Sequence, residues 1–160
     1  MKKIITFILL GNQTKLLLIE AFFYLGWSRI LKGLPFSKLA PSLGENMCET
    51  TYSVNTNHFI KLKNISDAIR IMSNYTFWES QCLVKAIAGQ KMLKRRNIDS
   101  TLYLGTAKDE KGEFIAHAWL RSGSFFVTGS EGMERFTVVA KFAKESPTRK
   151  DEGENYGENT

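Results

Sequence analysis

Residues 79–96 read Glu-Ser-Gln-Cys-Leu-Val-Lys-Ala-Ile-Ala-Gly-Gln-Lys-Met-Leu-Lys-Arg-Arg, and this stretch predicts the central helix of the protein. Small and apolar side chains recur on two neighbouring faces at helical spacing: Cys82, Ala86, Gly89 and Leu93 on one, and Leu83, Ile87 and Met92 on the other. A helix that is apolar on so much of its circumference is usually buried on several sides. We therefore expect the rest of the domain to be built around this helix.

Three strands are predicted after the helix, over Ser100–Gly105, Phe114–Leu120 and Phe125–Thr128. A polar turn, Asp109–Gly112, separates the first two strands. The segment Phe136–Phe142 is either a fourth strand or an extended wrap. A helix packed on an antiparallel meander gives an α+β domain.

The chain before the central helix divides at its glycines and prolines. Apolar residues over Leu16–Trp27 predict a helix that ends near Gly33, and Pro41 and Gly44 mark a further break. A polar linker follows to about Asn57, and Ser66 is predicted to cap a short helix. We expect an N-terminal apolar helical region over 1–44, a core over 45–143 and a disordered tail over 144–160.

Composition limits the classes of function. The chain has 160 residues and a net charge of +6, with about +8 before the acidic tail. Its basic residues are scattered without interleaved aromatic residues, so we expect no nucleic-acid binding. Two cysteines and two histidines at these spacings give no metal site.

The first residues resemble the opening of a signal peptide. Met1-Lys2-Lys3 precedes an apolar run, Ile4–Leu10, that is short and lacks a small-residue cleavage site. We therefore expect a cytoplasmic protein. Peripheral membrane contact of the N-terminal apolar segment stays open, as does its contact with a partner or with its own core.

Cys82 and His117 are the candidate catalytic pair. Cys82 stands in the first turn of the central helix, where exposed N–H groups and the helix dipole favour a thiolate. His117 lies within the second strand between two alanines, which leave room for another element. A thiol acyl-transfer enzyme needs a cysteine and a histidine in such positions. A packed core thiol and a core histidine are the alternatives.

The sequence motifs around both residues resemble those of the lasso peptide leader peptidase family, a group of transglutaminase-like cysteine proteases. The resemblance runs from about Leu16 to Phe142. Four sequence motifs carry it: Trp78–Ala86, Leu93–Arg96, Leu102–Gly105 and Ile115–Leu120. The N-terminal residues Leu17–Ala21, Leu34–Phe36 and Leu39–Gly44 are similar to the family's helical region. The resemblance implies a papain/transglutaminase-like core.

The resemblance also implies a reaction and its partners. Members of the family remove the leader from a ribosomally made precursor peptide, and a separate ATP-dependent lasso cyclase then closes the macrolactam ring. We expect no recognition domain fused ahead of this peptidase, and hence the stand-alone form, which works with a separate leader-recognition protein. No metal or organic cofactor is implied. An amide-forming acyltransferase and a non-catalytic peptide-binding module remain alternatives.

The third catalytic residue departs from the family's pattern. Many relatives have an aspartate about a dozen residues after the histidine, whereas residues 126–131 here read Phe-Val-Thr-Gly-Ser-Glu. We expect Glu79 to orient the imidazole, with Thr128 and Glu131 as alternatives. Candidate oxyanion or cleft residues are Gln81, Trp78 and Trp119.

Overall fold

The structure is a computed structural model that describes residues 11–53, 56–78 and 80–147, with only the backbone at 56 and 57. Four helices occur in these ranges: α1 (Asn12–Lys32), α2 (Phe36–Leu43), α3 (Thr56–Ser73) and α4 (Cys82–Lys94). Five strands accompany them: β1 (Glu45–Asn46), β2 (Ser100–Lys108), β3 (Phe114–Ser122), β4 (Phe125–Thr128) and β5 (Thr137–Lys144).

The five strands form one antiparallel sheet in the order β1-β5-β2-β3-β4. Strands β2, β3 and β4 make the predicted meander, and β5 returns to pair with the free edge of β2. The segment Phe136–Phe142, predicted as either a strand or an extended wrap, thus lies largely in strand β5. The α+β prediction is confirmed.

Helix α4 is the centre of the core, as its two apolar faces predict. It contacts α1 and α3 as well as strands β2, β3 and β4. The closest packing occurs at Gly89, where an added Cβ would lie 2.7 Å from Leu120 Cδ2 and 3.2 Å from Ile69 Cδ1. A glycine here lets α4 approach β3 and α3 more closely than any other residue would.

Helix α1 covers the outer side of α4. It ends at Lys32, directly before Gly33, as predicted. Its inner face buries Leu18, Ala21 and Leu25. Glu20 makes a two-pronged pair with Arg96, at 2.6 and 2.9 Å, which ties α1 to the end of α4.

Three sequence expectations are corrected in the region before α4. Helix α3 begins at Thr56, so Ser66 lies within it and caps nothing. Pro41 lies inside α2 and does not break it. The predicted linker forms β1 and then crosses the sheet, where Thr50 is buried. The N–H of Thr50 donates to Thr101 Oγ1, and the two threonine hydroxyls share a second hydrogen bond.

The crossing segment is held by Arg121, whose side chain is 1 % exposed. Its guanidinium donates to the carbonyl oxygens of Thr50 (2.9 Å) and Gly123 (2.6 Å) and to Tyr103 Oη (2.9 Å). It also stacks on the Tyr52 ring at 3.7 Å. No role for Arg121 is predicted from the sequence, whereas in the structure it is the polar centre of this layer.

The division at residues 44 and 143 stays a prediction. The apolar run Ile4–Leu10 and most of the predicted tail lie outside the described residues. None of the helices in the described ranges has both the length and the apolar character needed to cross a bilayer.

Candidate active site

Cys82 is the first residue of α4, and Gln81 precedes it in an extended conformation. The first hydrogen bond of the helix runs from Lys85 N to Gln81 O. The N–H groups before Lys85 therefore point out of the helix end, beside the half-buried Cys82 side chain. This is the placement that the sequence predicts.

A cavity of about 280 Å³ opens at this helix end. Cys82 and His117 both line it, together with Thr128 and Glu131. The structure thus brings four of the predicted site residues to one cavity. The two catalytic candidates come from α4 and β3, which pack against each other in the core.

The cavity also has a basic wall that the sequence analysis did not anticipate. Lys85, one helical turn after Cys82, and Arg70 of α3 both line it. Arg70 pairs with Asp67 at 2.9 Å. Glu131, which is exposed, supplies the carboxylate of the lining.

His117 is oriented by the main chain. Its Nε2 lies 2.8 Å from the carbonyl oxygen of Gly129. A carbonyl oxygen can only accept, so Nε2 carries the hydrogen and donates it. In the neutral ring, Nδ1 is then the unprotonated nitrogen, and it is available to accept a proton.

Gly129 holds its carbonyl in place through a backbone conformation that favours glycine. Its φ is +74°, and an added Cβ would collide with the carbonyl oxygen of Ala118. The residue follows the end of β4 directly, where the chain turns back against β3. A glycine immediately after a predicted strand was the available signal, but nothing in the sequence showed that its carbonyl would reach His117.

Two aromatic rings flank the imidazole. Trp119 is stacked at 5.8 Å between ring centroids, and Phe136 lies at 5.0 Å. Trp119 is also stacked on Tyr103 and is nearly buried. Trp119 is not among the residues that line the cavity, so its predicted role in the oxyanion site or cleft stays a prediction. Phe136 was not anticipated.

Gln81 and Trp78 connect the segment before Cys82 to α1. Lys32 Nζ donates to Gln81 Oε1 at 2.7 Å. The Trp78 ring packs on Phe22 at 5.2 Å and covers Gly26. Trp78 is therefore a packing residue that does not line the cavity, and Gln81 is exposed at the helix start.

The three candidates for the third catalytic residue have different positions. Glu79 lies outside the described residues. Thr128 lines the cavity, and its buried hydroxyl makes no hydrogen bond within the described part of the chain. Glu131 lines the same cavity but is exposed.

Metal-ligand clusters were sought among the same residues. The described ranges contain no group of three or more histidine, cysteine, aspartate or glutamate side chains that could hold a metal ion. Cys48 and Cys82 are both free thiols.

Comparison with known proteins places this arrangement in a family. The chain is 27 % identical over 127 residues to the microcin J25-processing protein McjB of Escherichia coli, which covers 79 % of this chain and 56 % of that protein. The chain thus spans little more than half the length of this relative. No solved structure matches the chain significantly. The family model of the transglutaminase-like superfamily matches residues 23–141, which include both Cys82 and His117. The chain belongs to the transglutaminase-like superfamily.

Proposed function

We propose that this protein is a cysteine peptidase that removes the leader peptide from a lasso peptide precursor. The observation that carries the proposal is the shared cavity of Cys82 and His117, in which Gly129 fixes the imidazole tautomer. The resemblance to lasso peptide leader peptidases and the similarity to a microcin-processing protein supply the substrate class.

The first half of the reaction forms a thioester. His117 Nδ1 takes the proton of the Cys82 thiol, and the sulfur attacks the carbonyl carbon of the last leader residue. The N–H groups at the start of α4 stabilise the oxyanion that forms. As the C–N bond breaks, His117 returns the proton to the departing amine of the core peptide.

The second half releases the leader. Water gives a proton to His117 and attacks the thioester carbonyl. The C–S bond breaks, the leader leaves with a new carboxylate, and the thiol is restored. Throughout, the donation from Nε2 to the Gly129 carbonyl leaves Nδ1 as the nitrogen that takes up and releases the proton.

An orienting carboxylate would further stabilise the imidazolium that forms in both halves. Glu79 remains our first candidate because it stands three residues before Cys82. Glu131 and Thr128 remain the alternatives, since both line the cavity. Comparing Glu79→Gln with Glu131→Gln tests this order. Only the variant that lacks the orienting acid should show a lower kcat with little change in KM.

The proposal includes the partners and location expected from the sequence. A separate leader-recognition protein delivers the precursor, and an ATP-dependent lasso cyclase uses the freed amino terminus. A cytoplasmic location fits two free thiols, because the cytosol keeps thiols reduced.

The experiment compares wild type with Cys82→Ala and Cys48→Ala on a lasso precursor, with a recognition protein added, by mass spectrometry. We expect leader release by wild type and Cys48→Ala, and none by Cys82→Ala. Cys48→Ala is the matched control, since it removes the other half-buried thiol.

Two results would contradict the proposal. Leader release by Cys82→Ala at the wild-type rate would remove Cys82 as the nucleophile. A product in which the leader is joined to an amine, without a free carboxylate, would identify an acyltransferase.

A further inference from the structure

Helix α1 exposes a continuous apolar face to the outside of the molecule. Five large side chains are 45–69 % exposed, and we call them the α1 stripe: Leu16, Ile19, Phe23, Trp27 and Ile30. Their spacing places them on one side of the helix, opposite the face that packs on α3 and α4. The stripe is about 21 Å long at 1.5 Å per residue.

The stripe continues towards the catalytic loop through aromatic contacts. Phe23 contacts Phe22, Phe22 contacts Trp78, and Trp78 contacts Phe77 at 4.5 Å between centroids. Phe77 is 91 % exposed. One apolar surface therefore extends from α1 to the loop before Cys82, and a contiguous exposed surface of this kind usually marks an interaction site.

Charge indicates what covers this surface. Helices α1, α3 and α4 each carry three lysine or arginine residues, and together they carry only two acidic residues, Glu20 and Asp67. Both acids are paired, Glu20 with Arg96 and Asp67 with Arg70. The described helical layer thus has a large positive excess and no acidic residue without a basic partner.

The turn between β2 and β3 has a more even balance of charge. Asp109, Glu110 and Glu113 lie there beside Lys108 and Lys111. The described positive excess is therefore a property of the helical layer, and such an excess attracts a protein to an anionic surface.

A second copy of the chain fits the stripe poorly. Lys15 stands beside Leu16 at one end and Arg29 beside Ile30 at the other. An antiparallel pair of α1 helices would set Lys15 against Arg29, and a parallel pair would set each against itself. Either arrangement brings like charges together.

We propose that the α1 stripe docks on an anionic lipid bilayer. Leucine, isoleucine, phenylalanine and tryptophan enter the interfacial region, and Lys15 and Arg29, beside the two ends of the stripe, contact the lipid phosphates. The helix lies in the plane of the surface, since no described helix is apolar and long enough to cross it. This inference is independent of the proposed peptidase activity.

The test is flotation of the full chain with vesicles of phosphatidylcholine alone and with vesicles that also contain phosphatidylglycerol. We expect binding to the anionic vesicles, weakened by salt, and little binding to the neutral ones. Phe23→Ser with Trp27→Ser should lower the partition coefficient about tenfold or more. Phe114→Ser, at the start of β3 and outside the stripe, is the matched control and should bind like wild type, although Phe114 is even more exposed, at 79 %.

A charge-reversal pair checks the second half of the proposal. Arg29→Glu should weaken binding to anionic vesicles, whereas Lys108→Glu, an exposed lysine at the end of β2, should leave it unchanged. Circular dichroism confirms that each variant is folded. Absence of vesicle binding, equal loss in Phe114→Ser, or a stripe-dependent dimer or protein complex in place of vesicle binding would overturn the proposal.

Discussion

His117 and Arg121 stand four residues apart on β3 and meet opposite conditions. Arg121 is fully buried, and its guanidinium donates to three backbone carbonyls and to Tyr103 Oη, with Glu49 3.6 Å away. His117 is half-buried, faces a cavity and has one nitrogen committed to Gly129. Tyr103 and Trp119 are stacked between the two side chains.

The contrast separates a structural polar group from a chemical one. A buried charge is tolerated when its hydrogen bonds are satisfied, and removing it then leaves its partners unpaired. A catalytic imidazole must keep one nitrogen available while the other fixes its orientation. We therefore expect changes at Arg121 to affect stability and changes at His117 to affect activity.

The largest effect is expected from His117→Ala. Leader cleavage should fall about a thousandfold or more, because neither step of proton transfer has another base. The melting temperature should change little, since the side chain makes a single hydrogen bond. Single-turnover cleavage and thermal unfolding measured on the same sample check both halves, and a large loss of stability would break the comparison.

Arg121→Met should reverse this pattern. We expect the free energy of unfolding to fall by about 3 kcal/mol, because buried carbonyls and Glu49 lose their partner. Urea unfolding measures the change. Arg70→Met is the control, since Arg70 also forms an ion pair but is 71 % exposed, and its loss should cost under about 1 kcal/mol.

Gly129→Ala sharpens the comparison at the acceptor of His117. The Cβ cannot fit against Ala118, so the carbonyl must shift, and kcat should fall about tenfold to a hundredfold with a smaller change in KM. Gly112→Ala is the control, because Gly112 also has a positive φ, +81°, but has open space around it. Equal kcat values in the two variants would contradict the positioning role.

The smallest effect concerns Glu49, which links Arg121 to Lys141. The hydrogen bond from Lys141 and the charge of Arg121 lower the pKa of Glu49. Its contribution to stability is therefore present above the ordinary pKa of 4.5 and is lost as the pH falls through the lowered value in the folded protein. Glu49→Gln should cost about 0.5–1 kcal/mol at neutral pH, and the difference from wild type should vanish in acid. Unfolding measured across this range checks the sign.

Local patterns were enough to predict α4, the end of α1 and the strand β4. The spacing of Cys82, Ala86 and Gly89 identified the helix, and a glycine or polar turn bounded each strand. The transglutaminase-like core was expected from sequence motifs around Cys82 and His117 that resemble those of a known family and occur in the same order. The family match confirms this core.

The errors have physical causes. Lys61 and Lys63 interrupt the apolar pattern of Leu62 and Ile65, so the helix was predicted to begin at Ser66, whereas α3 begins at Thr56. No role was predicted for Arg121 because its partners, at Thr50 and Tyr103, are distant along the chain. Contacts over such separations leave no local pattern.

The absence of a side chain at Gly89 has a consequence beyond the core. Leu120 Cδ2 and Ile69 Cδ1 lie so close that a larger residue must displace these side chains or move α4 away from β3. Since α4 carries Cys82 and β3 carries His117, this one position influences the distance between the two candidate catalytic residues from outside the cavity. A substitution at Gly89 would therefore slow the proposed reaction, although it changes none of the candidate catalytic residues.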